Sequence, residues 1–113
     1  MDQARLHTEE QAMEDSVLVT VTGEIDVTTT GILAKALDQA ADVALIVVAD
    51  LTAVTFMDST GISTLLHAHH ALADQGGRLA LTGAQSSVRR VLEMTGVDTV
   101  IPLHPNLAQA LHP

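Results

Sequence analysis

Apolar residues along this chain follow two different periods, which predicts strands that alternate with helices. Residues 16–22 are rich in β-branched side chains and end at a glycine, so they predict a strand. Residues 43–51 are almost all apolar, which is typical of a central strand covered on both faces of a sheet, and the extended chain continues over residues 52–58. Two further short strands are predicted at residues 78–82 and 97–102.

Helices are predicted where apolar residues recur every three or four positions. Residues 29–41 form such a pattern. It begins at a run of three threonines, and threonine is a good N-cap residue. Residues 59–74 form a second pattern, which a pair of glycines stops. A third helix is predicted from Ser86 or Ser87 to the glycine at position 96, and a small one over residues 106–112.

The predicted order is a strand followed by a helix, four times in succession, with an optional leading edge strand at residues 4–13. Strands that alternate with helices imply a mostly parallel or mixed sheet with helical cover. The predicted fold class is therefore α/β, with a mixed sheet of four or five strands covered by about four helices, largely on one face. The length of 113 residues fits a single domain over residues 1–113, with its core at about 16–103.

Composition and charge exclude several classes of function. Phe56 is the one Phe, Tyr or Trp, so nucleic-acid bases have no platforms on which to stack. Lys and Arg number 5 against 14 Asp and Glu, and a net charge of −9 repels nucleic acids and anionic lipids. There is no cysteine, which rules out disulfides and thiolate sites.

Membrane insertion and secretion are not expected either. No apolar run approaches the roughly 18 residues of a membrane span, and residues 1–15 are acidic and lack the pattern of a signal peptide. The expected location is therefore the cytoplasm.

The segment that joins the central strand to the second helix is the main candidate for chemistry. Asp58, Ser59, Thr60 and Gly61 follow the apolar end of the strand, so Ser59 is expected at or beside the helix N-cap with its hydroxyl exposed. Unpaired backbone N–H groups and the helix dipole at such a position favour a phosphate. Taken alone, these residues favour the plainer interpretation of an N-cap, since Asp and Ser are both common there.

Four segments together resemble the STAS family, in its branch of anti-sigma factor antagonists. One is D-L-x-x-V-x-F-M-D-S-T-G at residues 50–61. The others are Gly-Glu-Ile-Asp at residues 23–26, Gly-Gly-Arg-Leu at residues 76–79 and S-V-R-R-V-L-E-M-T-G at residues 87–96. Each segment is short, and the resemblance rests on all four in this order.

The resemblance implies a switch in protein binding that has no catalytic activity and no cofactor. Ser59 is then the residue that an anti-sigma factor serine kinase phosphorylates, Thr60 is a second candidate acceptor, and a serine phosphatase restores the hydroxyl. The unphosphorylated form is expected to bind the kinase and free its sigma factor, because phosphate adds roughly −1.5 to −2 charges beside Asp58. The residues expected to contact the partner are Glu24, Asp26, Thr28, Asp58, Ser59, Thr60 and Gly61.

Two other functions are compatible with the sequence. The domain would be a subunit of a stressosome-like or lipid-transport complex if it used the same surface without a dedicated kinase. It would be a module for nucleotides or small anions if the start of the second helix bound them, but Asp58 repels an anion and no Walker-type loop is present.

Histidines and arginines elsewhere support no separate site. His67 and His70 share a helix face near His69, but two nitrogens do not make a zinc site and no H-E-x-x-H motif is present, so no metal ligands are assigned. A Ser59 nucleophile would need a base, and His67 follows it by about two helical turns. The arginine pair at 89–90 is expected on a solvated helix face rather than in a phosphate clamp.

Overall fold

A mixed β-sheet forms the frame of the molecule in a computed structural model that describes residues 5–112. Its strands are β1 (Leu6–Ala12), β2 (Ser16–Ile25), β3 (Ile46–Met57), β4 (Arg78–Thr82) and β5 (Leu103–His104). They lie side by side in chain order, with β1 antiparallel to β2 and the other neighbours parallel. The optional leading strand is present as β1. Its first predicted residue, Ala4, lies outside the described residues, and so do residues 1–3 of the acidic leading segment.

Four helices cover the sheet, and three of them lie on one face. They are α1 (Thr30–Val43), α2 (Ser59–Asp74), α3 (Ser86–Met94) and α4 (Leu107–Leu111). Val47 and Ala49 of β3 belong to the core under α1, α2 and α3, whereas Val48 between them packs toward Ala110 of α4. The predicted α/β class is confirmed, as are the helices largely on one face and the central strand buried on both faces.

The last strand is shorter than the sequence predicts. In place of a strand over residues 97–102, a 3-10 turn occupies Val97–Thr99, and Gly96 at a φ of 78° turns the chain into it. Pro102 has no N–H group that could donate a hydrogen bond to β4. Pairing with β4 therefore begins at the Pro102 carbonyl, which accepts from the Leu81 N–H at 2.9 Å. Only the two residues of β5 then pair with β4.

Two element boundaries also differ from the prediction. β2 continues past its predicted end to Ile25, and Gly23 does not break it. The carbonyl oxygen of Arg5 approaches so closely there that a Cβ on Gly23 would lie 2.0 Å from it, and a glycine inside a strand often marks such an approach. α1 continues to Val43, so β3 begins at Ile46 rather than at residue 43.

The third helix begins without the predicted serine cap. Gln85 is its N-cap, and the Gln85 side chain donates to the Thr52 carbonyl at 2.8 Å, which fixes the chain before Ser86 starts the helix. The small terminal helix is confirmed, with the Asn106 side chain accepting from the Gln109 N–H at 3.0 Å. None of the helices within residues 5–112 has the length and apolar character that crossing a membrane requires.

Candidate functional site

The carboxyl ends of β2 and β3 lie side by side and lead into α1 and α2. The Asp58 N–H donates to the Ile25 carbonyl at 3.2 Å, and the Thr30 hydroxyl donates to the Thr60 carbonyl at 3.3 Å. These bonds join the loop after β2 to the start of α2. The structure therefore brings all the predicted partner-contact residues to one end of the molecule: Glu24, Asp26, Thr28, Asp58, Ser59, Thr60 and Gly61.

This end, which we call the Ser59 pole and define as residues 24–32 and 56–61, is built around the cap of α2. Asp58 has extended backbone angles, and its carboxylate accepts from the Thr60 N–H at 2.9 Å. Asp58 is thus the N-cap, a role that carboxylates fill well because they satisfy an unpaired helix donor. Ser59 is the first helical residue, beside the cap as expected.

Ser59 and Thr60 differ in how free their hydroxyl groups are. Ser59 is exposed, and its hydroxyl has no hydrogen-bond partner among residues 5–112. Thr60 is half-buried, and its hydroxyl donates to the Asp58 carboxylate. The Ser59 hydroxyl is therefore the more accessible of the two hydroxyl groups. Accessibility matters because a phosphoryl acceptor must enter the active site of another protein.

The start of α2 offers fewer free donors than the sequence predicts. The Thr60 N–H is bonded to the Asp58 side chain, and the N–H groups of Gly61 and Ile62 are bonded to the Asp58 carbonyl at 3.1 and 3.4 Å. The expectation that several unpaired N–H groups face Ser59 is therefore wrong. A phosphate on Ser59 would meet the Asp58 carboxylate nearby and would stay largely in solvent.

Gly61 is buried, and its lack of a side chain lets α2 approach the sheet. A Cβ at this position would lie 2.7 Å from Cγ2 of Ile25 and 2.8 Å from Cγ of Met57, closer than such atoms normally come. Gly61 thus faces the core of the protein, and what it contributes to the Ser59 pole is close packing.

Asp26 is the centre of a hydrogen-bonded turn between β2 and α1. One of its carboxylate oxygens accepts from the N–H and the hydroxyl of Thr28, at 2.9 and 2.7 Å, and the other accepts from the Arg5 guanidinium at 2.6 Å. The hydrogen bond from the Thr28 hydroxyl, aided by the Arg5 charge, lowers the pKa of Asp26 below its ordinary value. The Asp26 carboxylate is therefore held in its ionised form and paired with the Arg5 charge, and no sequence motif singles out Arg5 as its partner.

Further threonine hydroxyls hold this loop, and the sequence analysis missed their roles. The buried Thr29 caps no helix N–H; its hydroxyl donates to the Glu24 carbonyl at 2.7 Å and accepts from the Asp26 N–H at 2.9 Å. The Thr30 hydroxyl bonds to that of Thr64 in α2. The run of three threonines is the one feature of the sequence that draws attention to these hydroxyls. It predicts a helix cap rather than the hydrogen bonds that the structure shows.

The histidines of α2 lie away from Ser59. His67 follows it by eight residues of continuous helix, about 12 Å at ~1.5 Å per residue, which is out of reach for a base. The rings of His69 and His70 are 5.3 Å apart. In the part of the chain that the structure describes, no three His, Asp or Glu side chains are grouped so as to hold a metal ion.

The fold and the Ser59 pole define a class of protein, a small α/β domain that presents an exposed serine beside the capped start of a helix. The sequence pattern of the STAS domain matches residues 7–110. The chain belongs to the STAS domain family, as the resemblance of its four short segments indicated.

Several proteins similar to this chain are named anti-sigma factor antagonists. The chain is 28% identical over 97 residues to the anti-sigma F factor antagonist of Paenibacillus polymyxa, a match that covers 84% of this chain and 83% of that one. It is 31% identical over 90 residues to the anti-sigma-B factor antagonist of Listeria monocytogenes, covering 79% of each. The crystal structure of an anti-sigma factor antagonist from Mycobacterium paratuberculosis superposes with a TM-score of 0.85 at 32% identity, over 94% of this chain and 91% of that one.

Proposed function

We propose that this protein is an anti-sigma factor antagonist that is switched by phosphorylation of Ser59. In this proposal it acts in the bacterial cytoplasm as a binding protein rather than an enzyme. Its unphosphorylated form binds an anti-sigma factor that is also a serine kinase, and the bound sigma factor is released. A serine phosphatase removes the phosphate and restores binding.

One observation supports this proposal above the others. Ser59 is exposed at the pole where the predicted partner-contact residues converge, and its hydroxyl has no hydrogen-bond partner within residues 5–112, whereas the neighbouring Thr60 hydroxyl is bonded to Asp58. The position of Ser59 in the family motif and the names of the relatives point to the same class of partner.

The local charges give a physical reason for the switch. Phosphate adds roughly −1.5 to −2 charges at neutral pH, and it would do so beside Asp58 and near the ionised Asp26. The N–H groups of Thr60, Gly61 and Ile62 are already bonded to Asp58, so these three would do little to neutralise it. If the misfit of the charged group to a surface that suits a neutral serine costs about 3 kcal/mol of binding, affinity falls more than about 100-fold, since about 1.4 kcal/mol is tenfold.

Phosphorylation in vitro tests the acceptor directly. Wild type, Ser59→Ala and Thr60→Val would each be incubated with ATP and the purified anti-sigma factor serine kinases of the host, and phosphate would be located by peptide mass spectrometry. We expect phosphate on wild type and on Thr60→Val, and none on Ser59→Ala.

Two other results would change the proposal. Phosphate on Thr60 in the Ser59→Ala variant, at the wild-type rate, would move the acceptor to Thr60. If none of the kinases binds or phosphorylates the wild type, the switch is rejected, and the role of a protein-binding subunit in a larger complex takes its place.

A further inference from the structure

A cavity lies at the end of the sheet opposite Ser59, and we call it the hairpin cavity. It has a volume of about 280 Å³ and is bordered by the turn between β1 and β2, the first residue of β3 and the end of α4. The residues that line it are Met13, Glu14, Asp15, Ser16, Ile46, Leu111 and His112. Pockets for whole small molecules usually have about 300–1,000 Å³, so this one suits a single long side chain.

The floor of the hairpin cavity is apolar. Met13 and Leu111 pack on the small core beneath α4, which contains Leu18 and Val48. Ile46 is half-buried, and it lies on the same face of the sheet as Val48, two residues further along β3. The cavity therefore offers an aliphatic chain an apolar surface that continues this small core.

One polar group at the cavity lacks a partner. Ser16 is only 6% exposed, and its hydroxyl has no hydrogen-bond partner within residues 5–112. This hydroxyl is not among the unpartnered side-chain atoms of those residues that are wholly enclosed, and Ser16 borders the cavity, so the hydroxyl opens there. An unpaired hydroxyl in such a place is costly once an occupant excludes water. It favours an occupant that brings a hydrogen-bonding group.

The rim of the cavity is acidic. Glu14 and Asp15 are exposed at the turn, and neither forms an ion pair within residues 5–112. Arg78 is in register with Ile46 on the neighbouring strand, but its guanidinium donates to the Ala110 carbonyl at 3.3 Å instead. The two carboxylates therefore remain available to a basic group of another molecule.

We propose that the hairpin cavity binds a long basic side chain, an arginine or a lysine, which a partner protein presents. The aliphatic part of such a side chain suits the apolar floor, and its charged end suits the acidic rim. Its N–H groups also give the Ser16 hydroxyl a donor. Arginine fits best, because its planar guanidinium donates in a fork that pairs with carboxylates.

The position of the cavity makes this contact independent of Ser59. The strand β3 runs for 12 residues from Ile46 to Met57, and at ~3.3 Å per residue this places the two ends more than about 30 Å apart. Charges at that distance are screened at physiological ionic strength, where the Debye length is about 8 Å. A partner held in the hairpin cavity would therefore stay bound whether or not Ser59 carries a phosphate.

Small analogues of the basic side chain test this inference on the wild-type protein. The probes n-butylguanidinium, guanidinium and pentanoate would each be titrated at about 0.15 M salt, with binding followed by backbone amide NMR shifts. We expect butylguanidinium to shift the amides of Met13, Ile46 and Leu111 in a saturable way. Guanidinium lacks the aliphatic chain and pentanoate has the opposite charge, so both should bind at least about fivefold more weakly.

Two double variants that are matched in charge locate the site. Glu14→Gln/Asp15→Asn neutralises the rim, whereas Glu10→Gln/Asp74→Asn removes the same charge from exposed residues that do not line the cavity. We expect the first variant to bind butylguanidinium about fivefold more weakly than wild type, as for two exposed ion pairs. The second variant should bind it like wild type.

Four results would overturn the inference. One is the absence of a saturable shift with butylguanidinium, and another is equal binding of pentanoate, which would show a cavity that accepts apolar groups without regard to charge. Equal affinities of the two double variants would place the probe elsewhere. If the amides of Met13, Ile46 and Leu111 shift when wild type is concentrated without a probe, a second copy of the chain occupies the cavity instead. None of these results involves a kinase, so the proposed function is tested separately.

Discussion

Gly61 and Gly31 are both helical glycines, but they have different surroundings. A Cβ on Gly61 would crowd Ile25 and Met57, whereas one on Gly31 would meet nothing within 4 Å. Alanine gains up to about 1 kcal/mol over glycine in a helix, and overpacking costs about 1–3 kcal/mol. We expect Gly31→Ala to raise the free energy of unfolding in urea, and Gly61→Ala to be about 1–3 kcal/mol less stable than Gly31→Ala. Equal stabilities would contradict the close approach of α2 to the sheet.

The pKa of Asp26 gives a second prediction for a single residue. The Thr28 hydroxyl is the main cause of the lowered pKa of Asp26. The substitution Thr28→Ala should therefore raise the pKa of Asp26 toward its ordinary value of about 3.9. The carboxylate form contributes stability that is present above the unfolded pKa and is lost as the pH falls through the folded pKa. In mildly acidic solution, the free energy of unfolding of Thr28→Ala should therefore be lower than that of wild type.

Carboxyl-carbon NMR shifts followed against pH measure this pKa directly. Thr99→Ala is a suitable control, because the Thr99 hydroxyl donates to the Gly96 carbonyl and makes no contact with Asp26. An Asp26 pKa that is the same in Thr28→Ala, Thr99→Ala and wild type would show that the Thr28 hydroxyl does not set it.

Single residues differ in how far the sequence predicts their roles. Asp58 and Ser59 stand between an apolar strand and an amphipathic helix, so a cap and an exposed hydroxyl can be expected there from local pattern alone. The contacts of Arg5 and Thr29 depend on the path of the loop after β2, and a loop path is set by tertiary packing rather than by periodicity.

At the scale of elements, hydroxyl groups join α1 to α2 beside Ser59. The hydroxyls of Thr30 and Thr64 bond to each other, and both lie within hydrogen-bond distance of the Thr60 carbonyl. Thr64→Val keeps the shape but removes this junction, and we expect it to lower the free energy of unfolding by about 0.5–1.5 kcal/mol. Thr64→Ser keeps the hydroxyl and should lose less.

A double-mutant cycle with Thr30→Val separates this junction from the general effects of substitution. Because the two hydroxyls share their bonds, the loss in Thr30→Val/Thr64→Val should be smaller than the sum of the single losses. Strictly additive losses in urea unfolding would mean that the two side chains do not interact.

Elements were predictable where one pattern persisted over many residues. α2 and β4 were predicted with the bounds that they have in the structure, because periodic apolar positions and flanking glycines agree. β5 was not, since Val97 to Pro102 has a strand-like composition but contains a proline, and Gly96 favours a turn. Ile32 fits the apolar period of α1 and is nevertheless exposed, because periodicity identifies a helix face and not what covers it.

At the scale of the whole molecule, phosphorylation should change a surface and leave the fold intact. Ser59 is exposed, so a phosphate requires no repacking of the core. Protein phosphorylated at Ser59 should show altered backbone amide NMR shifts at the Ser59 pole and unaltered ones in α4, on the opposite face of the sheet. Large changes in α4 and β4 would contradict a switch that acts by local charge and desolvation.

Whether the cell uses Ser59 as a switch is tested most directly on protein from its own host. Wild type and Ser59→Ala would be purified from growing and stressed cells and analysed by intact mass and peptide mapping. We expect a fraction of wild type to be about 80 Da heavier, the mass of one phosphoryl group on Ser59, and no such species in Ser59→Ala. Wild type that carries no phosphate on Ser59 under any growth condition would contradict the proposed switch.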